Sequence, residues 1–431
     1  MLEATTVQVK ESQVQIAADK ENRPPKMAVE LVRNSDGSPL EVSVPMPGRE
    51  VMLHAYRANV GRVALYLLDA NLPQNREEDR DITRNLYGGD SETRIQQEIV
   101  LGRGGVRLLR AMDIRPAVYH MNEGHAAFLT LERTSLLVKG AGLPFEAARE
   151  YIAATTLFTT HTPVPAGHDR FGEDLVRRYF GDAEEWVGLP WESFFALGQA
   201  SGGADDFNMT YLAMNFAGFV NGVSKMHGTA SQKLLHAFWP GLLESEVPVE
   251  SVTNGVHLAT WTHQNVAELL RGDDGALRPA DFRDAEKLTP KKLWGAHQSN
   301  KALMVQKVCE VLTDGCHARG DSPVALGGML AGLDDQALYL GFARRFAPYK
   351  RAHLLFSDPD RLERILGNAD LPVRIVVSGK AHPKDKLGQD IMQSIVQIAR
   401  SPQFLGKVFF VEDYDMAVAR ALVQGVDVWV N

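Results

Sequence analysis

The stretch from Leu338 to Asn431 constrains the fold more than any other part of the chain. LYLGFARR, PVRIVVSG, KVFFVEDY and VDVWVN read as short apolar strands. Between them RAHLLFSDPDRLERIL, with an Asp-Pro interruption, KDKLGQDIMQSIVQIAR and MAVARALVQG read as helices. A parallel connection needs a crossover long enough to hold a helix, so this alternation predicts an α/β fold with a parallel, doubly wound sheet.

The earlier chain is less regular. LEVSVPM alternates, and VMLHAYRA and RVALYLLD flank Asn59-Val60-Gly61, which predicts a hairpin turn. SETRIQQEIVLGRGGVRLLRAM reads as a helix interrupted by Gly102, Gly104 and Gly105, a triplet that can admit either a phosphate or a close backbone neighbour. RPAVYH, MNEG and HAAFLTLERTSLLV then run strand, loop, helix, and EAAREYIAA, TTLFTT and HTPVPAGHDRF run helix, strand, loop. Two strands thus end at His120 and His161, and in open α/β sheets ligands sit beyond such ends.

The middle, roughly 170 to 325, reads as mostly helical. Met209, Leu212, Phe216, Phe219, Val223 and Met226 recur at helical spacing, which predicts one helix buried along one side. VPVESVTNGVHLATW predicts a strand and a tight turn at Asn254-Gly255, and GDSPVALGGMLAGLDD marks a domain boundary.

A chain of 431 residues predicts two domains. A formal net charge of -8 argues against a nucleic acid or an anionic membrane bound by bulk electrostatics. No apolar h-region opens the chain and no apolar run approaches a membrane span, so a cytoplasmic location is expected. Cys309 and Cys316, one heptad apart on a helix, are expected as free thiols.

Against that acidic background GFARRFAPYKRAHLL gathers Arg344, Arg345, Lys350 and Arg351, and the next strand ends at Lys380. The cluster is either a solvated face or an anion site. Two phosphates of about -1.5 charge held about 5 Å apart at an effective dielectric of about 20 repel by roughly 7 kcal/mol, more than one lysine offsets. Cations converging from neighbouring strand ends suit a site for more than one phosphate group.

Other chemistries fit less well. His120, Glu123 and His125 in HMNEGH straddle a strand-to-helix junction and would not share a helical face, so no metal site is expected. Neither a G-x-S-x-G elbow nor a G-x-G-x-x-G loop is present. His161, framed by threonines and followed by Pro163, Pro165 and Gly167, suits the polar wall of a site for a hydroxylated ligand.

Seven ordered motifs, HMNEGHAAF, FTTHTPVPAGHDRF, VNGVSKMH, VTNGVHLATW, FARRFAPYKRA, SGKAHPKD and VFFVEDYDMAVA, resemble the α-glucan (glycogen or maltodextrin) phosphorylases, especially their bacterial branch, from about residue 28 onward. The resemblance implies a glycosyltransferase-B fold of two Rossmann-like doubly wound domains, both incomplete in this chain. Its divisions would be a polar N-terminal segment 1–27, a partial glucan-side domain 28–325, and the start of a phosphate-side domain 326–431.

The implied reaction is reversible phosphorolysis of the terminal α-1,4 linkage to α-glucose 1-phosphate, with retention, assisted by pyridoxal 5'-phosphate through its phosphate group. By position, Arg345 would bind the substrate phosphate, Arg344 and Lys350 the cofactor phosphate, with Lys350 also near the substrate. His161 and Asn254 would contact the glucosyl residue, and Tyr414 would line the cofactor pocket. Arg344 stands where many members have lysine, and Arg103 where relatives usually have an apolar residue.

The lysine that anchors the cofactor is expected beyond Asn431, and a glycine loop over the phosphates upstream of the match, so the chain resembles an internal fragment and is expected to be inactive alone. Relatives are commonly homodimers. Two alternatives share the fold: a sugar-nucleotide-dependent glucan synthase and a non-catalytic glucan-binding protein.

Overall fold

The computed structural model describes residues 2–9, 12–19, 27–85, 90–200, 206–272, 274–381 and 385–431. The chain is α/β with parallel sheets, and its contacts divide it into two compact units. One runs from Met27 to Gly255. The other comprises Val256–Asn431 together with an antiparallel hairpin of β1 (Leu2–Val9) and β2 (Ser12–Asp19). The division lies after Gly255, whereas the sequence marks 325/326, because the long helix Pro290–Arg319 packs on the sheet that follows it.

The first unit opens on an antiparallel sheet of β3 (Glu30–Leu31), β4 (Glu41–Met46), β5 (Arg49–Val60) and β6 (Val63–Asp69). The hairpin turn is Gly61-Arg62, one step later than expected, because Asn59 and Val60 still pair with Ala64 and Val63 and Gly61 takes the positive φ of +60°. The inward residues Val44, Val51, Leu53 and Ala55 are fully buried.

Asp90 caps the helix Ser91–Ile99, accepting from Thr93 N. The helix then runs unbroken through a π-turn, Val100–Gly104, into Gly105–Ala111. A Cβ on Gly102 would lie 2.7 Å from Leu129 N, and one on Gly104 2.9 Å from Leu53 Cδ1, so these glycines admit a neighbouring helix and sheet. Arg103 is buried because its Nε donates to Glu132 Oε2 at 2.8 Å and its guanidinium lies over the Trp186 ring.

A parallel sheet follows, ordered β12-β11-β8-β7 and built from β7 (Tyr119–Asn122), β8 (Thr156–Thr160), β11 (Phe219–Gly222) and β12 (Glu250–Ser251). A small antiparallel pair, β9 (Arg170–Phe171) and β10 (Phe207–Asn208), stands beside it in sequence. The single helix expected across Met209 to Met226 is instead a short helix Met209–Asn215, the strand β11, and a second helix Lys225–Leu235. Gly218 causes the break. A Cβ there would lie 2.6 Å from the Ala153 carbonyl oxygen, so the chain turns onto β8 at that point. Met209, Leu212 and Phe216 are fully buried, while Met226 is 85% exposed.

The second unit matches the sequence expectation closely. Its parallel sheet is ordered β15-β14-β13-β16, from β13 (Leu338–Ala343), β14 (Val373–Ser378), β15 (Val408–Val411) and β16 (Val428–Trp429). Period-two alternation separates two cores. Phe342, Ile375, Val377, Val408 and Phe410 face the helices Pro359–Leu366 and Lys386–Arg400. Tyr339, Val376, Phe409 and Val411 face Pro290–Arg319 and Met416–Gly425. Cys309 and Cys316 are free thiols on the Pro290–Arg319 helix. No helix among the described residues is long and apolar enough to cross a membrane.

Candidate functional site

Each unit carries sequence-marked residues at the carboxyl ends of its parallel strands, where a backbone that has finished pairing turns polar groups towards solvent. In the first unit these are Asn122 and Glu123 at β7, His161 at β8, Val223 at β11 and Asn254 beyond β12. His120, expected at a strand end, is instead the second residue of β7 and still pairs with Leu157, because the strand starts only at Tyr119 and runs on to Asn122.

His161 is held from two sides. Its backbone N–H donates to Glu123 Oε1 at 2.5 Å, and its Nε2 bonds Asn122 Oδ1 at 2.5 Å. The Thr162 hydroxyl donates to the same Glu123 oxygen at 3.0 Å. Glu123 does this from φ 67°, ψ 172°, a region that residues other than glycine rarely occupy.

The layer beneath is also hydrogen-bonded. Thr159 Oγ1 donates to Asn221 Oδ1 at 2.8 Å and meets His120 Nε2 at 2.8 Å. Burial pushes the His227 imidazole below its ordinary range, outweighing the lift from the Glu123 charge. Asn254 is exposed, with its N–H donating to the Val223 carbonyl at 3.2 Å.

His120, Glu123 and His125 of HMNEGH therefore take different partners, and His125 leads into a buried ion cluster. Its Nδ1 lies 2.8 Å from Asp169 Oδ2 and 3.6 Å from Glu98 Oε1. Glu98, His125 and Asp169 converge closely enough to be metal donors. However, Arg94 Nη2 lies 2.7 Å from Asp169, 3.0 Å from Glu98 and 3.2 Å from His125, so a guanidinium already supplies positive charge among them. Burial raises the Glu98 carboxyl to about 8. Burial alone would lower His125, but Asp169 and Glu98 overcome it and raise the imidazole to about 9.

In the second unit, β13 ends in Arg344-Arg345 and β14 ends in Gly379-Lys380. These ends lie side by side: Arg344 N donates to Ser378 O at 3.3 Å and Phe346 N to Lys380 O at 2.9 Å. Gly379 permits the approach, since a Cβ there would lie 2.0 Å from the Arg344 carbonyl oxygen. A 3-10 turn, Pro348–Lys350, then brings Lys350 Nζ within 4.6 Å of the Tyr349 ring centroid. Burial resists ionisation of Tyr349, but Arg345 and Lys350 at its hydroxyl draw its pKa below the usual value.

Among the described residues, no carboxylate forms an ion pair with Arg344, Arg345, Lys350, Arg351 or Lys380. The strand order reverses between β13 and β16, so the cations stand at a topological switch point. Tyr414 is half-buried just past the end of β15, and burial raises its phenol. Behind it Glu412 is raised by burial to about 7 against the pull of Arg319, its ion-pair partner, and of Arg400. Of the SGKAHPKD motif, residues 382–384 lie outside the described residues.

Thus Arg344, Arg345, Lys350 and Tyr414 share one sheet end, and His161 and Asn254 share another. Sequence reading passed over Asn122 and Glu123 as positioning residues. The only signal was a Glu-Gly pair directly after a strand.

No family model matches the chain. A maltodextrin phosphorylase of Thermococcus litoralis is 39% identical over 424 residues, covering 97% of this chain and 50% of that protein. A glycogen phosphorylase of Mycobacterium tuberculosis is 40% identical over 424 residues, covering 95% of this chain and 49% of that protein. Over almost its whole length the chain is thus similar to glycogen and maltodextrin phosphorylases. A glycogen phosphorylase of Aquifex aeolicus, 33% identical over 96% of this chain and covered to 60%, extends the relationship. The chain spans about half the length of the first two of these relatives.

Proposed function

We propose that this chain carries the glucosyl-side and phosphate-side halves of an α-glucan phosphorylase site. The reaction is reversible phosphorolysis of the terminal α-1,4 linkage to α-glucose 1-phosphate with retention, on a glycosyltransferase-B fold. The observation that carries this reading is the group of strand-end cations without a described carboxylate partner, at the switch point of the β15-β14-β13-β16 sheet. Cations left uncompensated at such a place suit phosphate oxygens, for which arginine offers a planar fork and lysine a point charge.

In this reading Arg345 binds the substrate phosphate and fixes its orientation. Lys350, tethered by the short turn after Ala347, serves both the substrate phosphate and the cofactor phosphate. The donor set of Arg344, Lys350 and the half-buried Tyr414 fits the phosphate and ring of pyridoxal 5'-phosphate, whose phosphate supplies a proton relay when bound. His161 contacts the glucosyl residue, with Asn254 beside it, and Asn122 and Glu123 hold His161 in place. The ligands are α-glucan, inorganic phosphate and glucose 1-phosphate. A cytoplasmic homodimer is the assembly this reading expects.

Calorimetric titration of the chain with maltoheptaose, with and without inorganic phosphate, tests the reading. Each ligand should tighten the other, and Arg345→Ala should remove that coupling while leaving glucan binding. Glucan affinity that phosphate does not change would favour the non-catalytic glucan-binding alternative and overturn the proposal.

A further inference from the structure

A cavity of about 700 Å³ opens in the second unit and shares no lining residue with the carboxyl ends of β13, β14 and β15. Four helices build it, Leu258–Trp261, Gln264–Leu270, the middle of Pro290–Arg319, and the face of Met416–Gly425 that carries Ala417 and Ala421, with Gly275 and Leu277 completing the wall. Its floor includes Ala267 and Met304, both buried. Around them stand Arg271, Lys307 and Arg420, with His263 at one wall.

The walls are fixed by packing. Gly425 lets its helix close on Pro290–Arg319, since a Cβ there would lie 2.4 Å from Met304 Cβ. His263 caps the helix Gln264–Leu270, accepting from Asn265 N at 3.2 Å. Asn265 Nδ2 in turn donates to the buried Asn300 Oδ1 at 3.0 Å.

The charge is one-sided. Among the described residues no aspartate or glutamate lines the cavity, although the chain as a whole has a formal net charge of -8. Among the described residues Arg271 and Arg420 form no ion pair, and Lys307 reaches only Glu310, one turn along its own helix, at 3.3 Å. Three cations around a concave, partly apolar surface concentrate positive potential, which favours an anion of more than one charge. Among the described residues no phenylalanine, tyrosine or tryptophan lines the cavity, so a nucleic-acid strand has no large aromatic face to stack on. The volume lies within the few hundred to about 1,000 Å³ usual for small-molecule sites.

We propose that this cavity binds a small organic phosphate ester of sugar-phosphate size, its phosphate against Arg271, Lys307 and Arg420 and its body on the floor at Ala267 and Met304. The site stands apart from the phosphorylase reading and does not depend on it.

Titration calorimetry on the full chain tests this with ribose 5-phosphate as probe and ribose as the uncharged control. Ribose 5-phosphate should bind, with affinity falling as salt rises, and ribose should not. The double variant Arg271→Glu/Arg420→Glu should weaken binding at least tenfold, Arg271→Lys/Arg420→Lys should retain most of it, and Arg345→Glu should change it less than twofold. Both double variants alter exposed side chains, and circular dichroism checks that they fold. Loss of binding in Arg345→Glu with retention in Arg271→Glu/Arg420→Glu would place the ester at the strand ends and overturn the proposal. Equal binding to all variants, or no binding by the unaltered chain at millimolar ester, would overturn it as well.

Discussion

Replacing Gly379 with alanine should damage the phosphate-side unit more than its one added methyl group suggests. Gly379 sits at φ +148°, and a Cβ would lie 2.0 Å from the Arg344 carbonyl oxygen and 3.0 Å from Phe346 Cε2. The oxygen is backbone at the end of β13, so relief requires β13 and β14 to separate. Holding a side chain at that φ costs about 1–3 kcal/mol and overpacking about 1–3 kcal/mol more, a total of about 2–6 kcal/mol. At about 2–4 °C per kcal/mol for a unit of this size, the unfolding midpoint should fall by at least about 4 °C and up to roughly 24 °C.

Scanning calorimetry on the chain, Gly379→Ala and Gly295→Ala measures this. Gly295 lies in the helix Pro290–Arg319 with nothing within 4 Å of a built Cβ, so its replacement should leave the midpoint unchanged or raise it slightly. Phosphate affinity should weaken in Gly379→Ala, because separated strands carry Arg345 away from Lys380. A Gly379→Ala midpoint within 1 °C of the unaltered chain, with β13 and β14 amides still protected from exchange, would refute the reasoning.

Three further outcomes follow from other parts of the molecule. Glu123→Ala should cost about 1–3 kcal/mol by leaving the His161 N–H without an acceptor, and Glu123→Gly should be milder because it relieves the backbone at φ 67°; equal midpoints for the two would show no strain there. Glu98 and His125 are held above their ordinary values of 4.5 and 6.5, at about 8 and 9, so the folded chain binds the extra protons. Their contribution to stability is complete below the ordinary values and is lost as pH rises through about 8 to 9. Thermal midpoints measured from pH 6 to 10 should fall accordingly, and Glu98→Gln should flatten the curve below pH 8. Arg319→Met should cost about 3–5 kcal/mol by taking the shared guanidinium from the buried Glu412 and from Asp321, and Arg319→Met/Glu412→Gln should recover part of it; equal loss in single and double variants would exclude the Glu412 pair as a cause.

What the sequence revealed depended on how unambiguous each period was. From Leu338 onward strands of period two alternate with helices of period 3.6, and every strand expected there is present. Around Phe219 the signal failed, because a short strand with three buried residues between two helices satisfies the same apolar spacings as one helix. The contact between Gly218 and Ala153 that ends the helix is long-range and leaves no local trace beyond a glycine.

The site divided in the same way. Charge against an acidic background exposed Arg344, Arg345 and Lys350, and a polar strand end exposed His161. Glu123 was hidden, because its carboxylate acts through a contact to the next strand and its backbone conformation has no sequence signature. The unit boundary was hidden too, because the packing of Pro290–Arg319 on Met416–Gly425 joins segments far apart in the chain.

The π-turn at Val100–Gly104 has a consequence for how such chains compare in length. It holds one residue more than an α-turn, so the helical faces before and after it are out of phase by about 100° per residue. Removing the half-exposed Leu101 would therefore rotate one flank against the other, turning Ile95 and Ile99 off the core or Val106 and Leu108 off the sheet. A one-residue gap aligned here marks a change of helical phase rather than a shortened loop, and its two flanks need separate superposition.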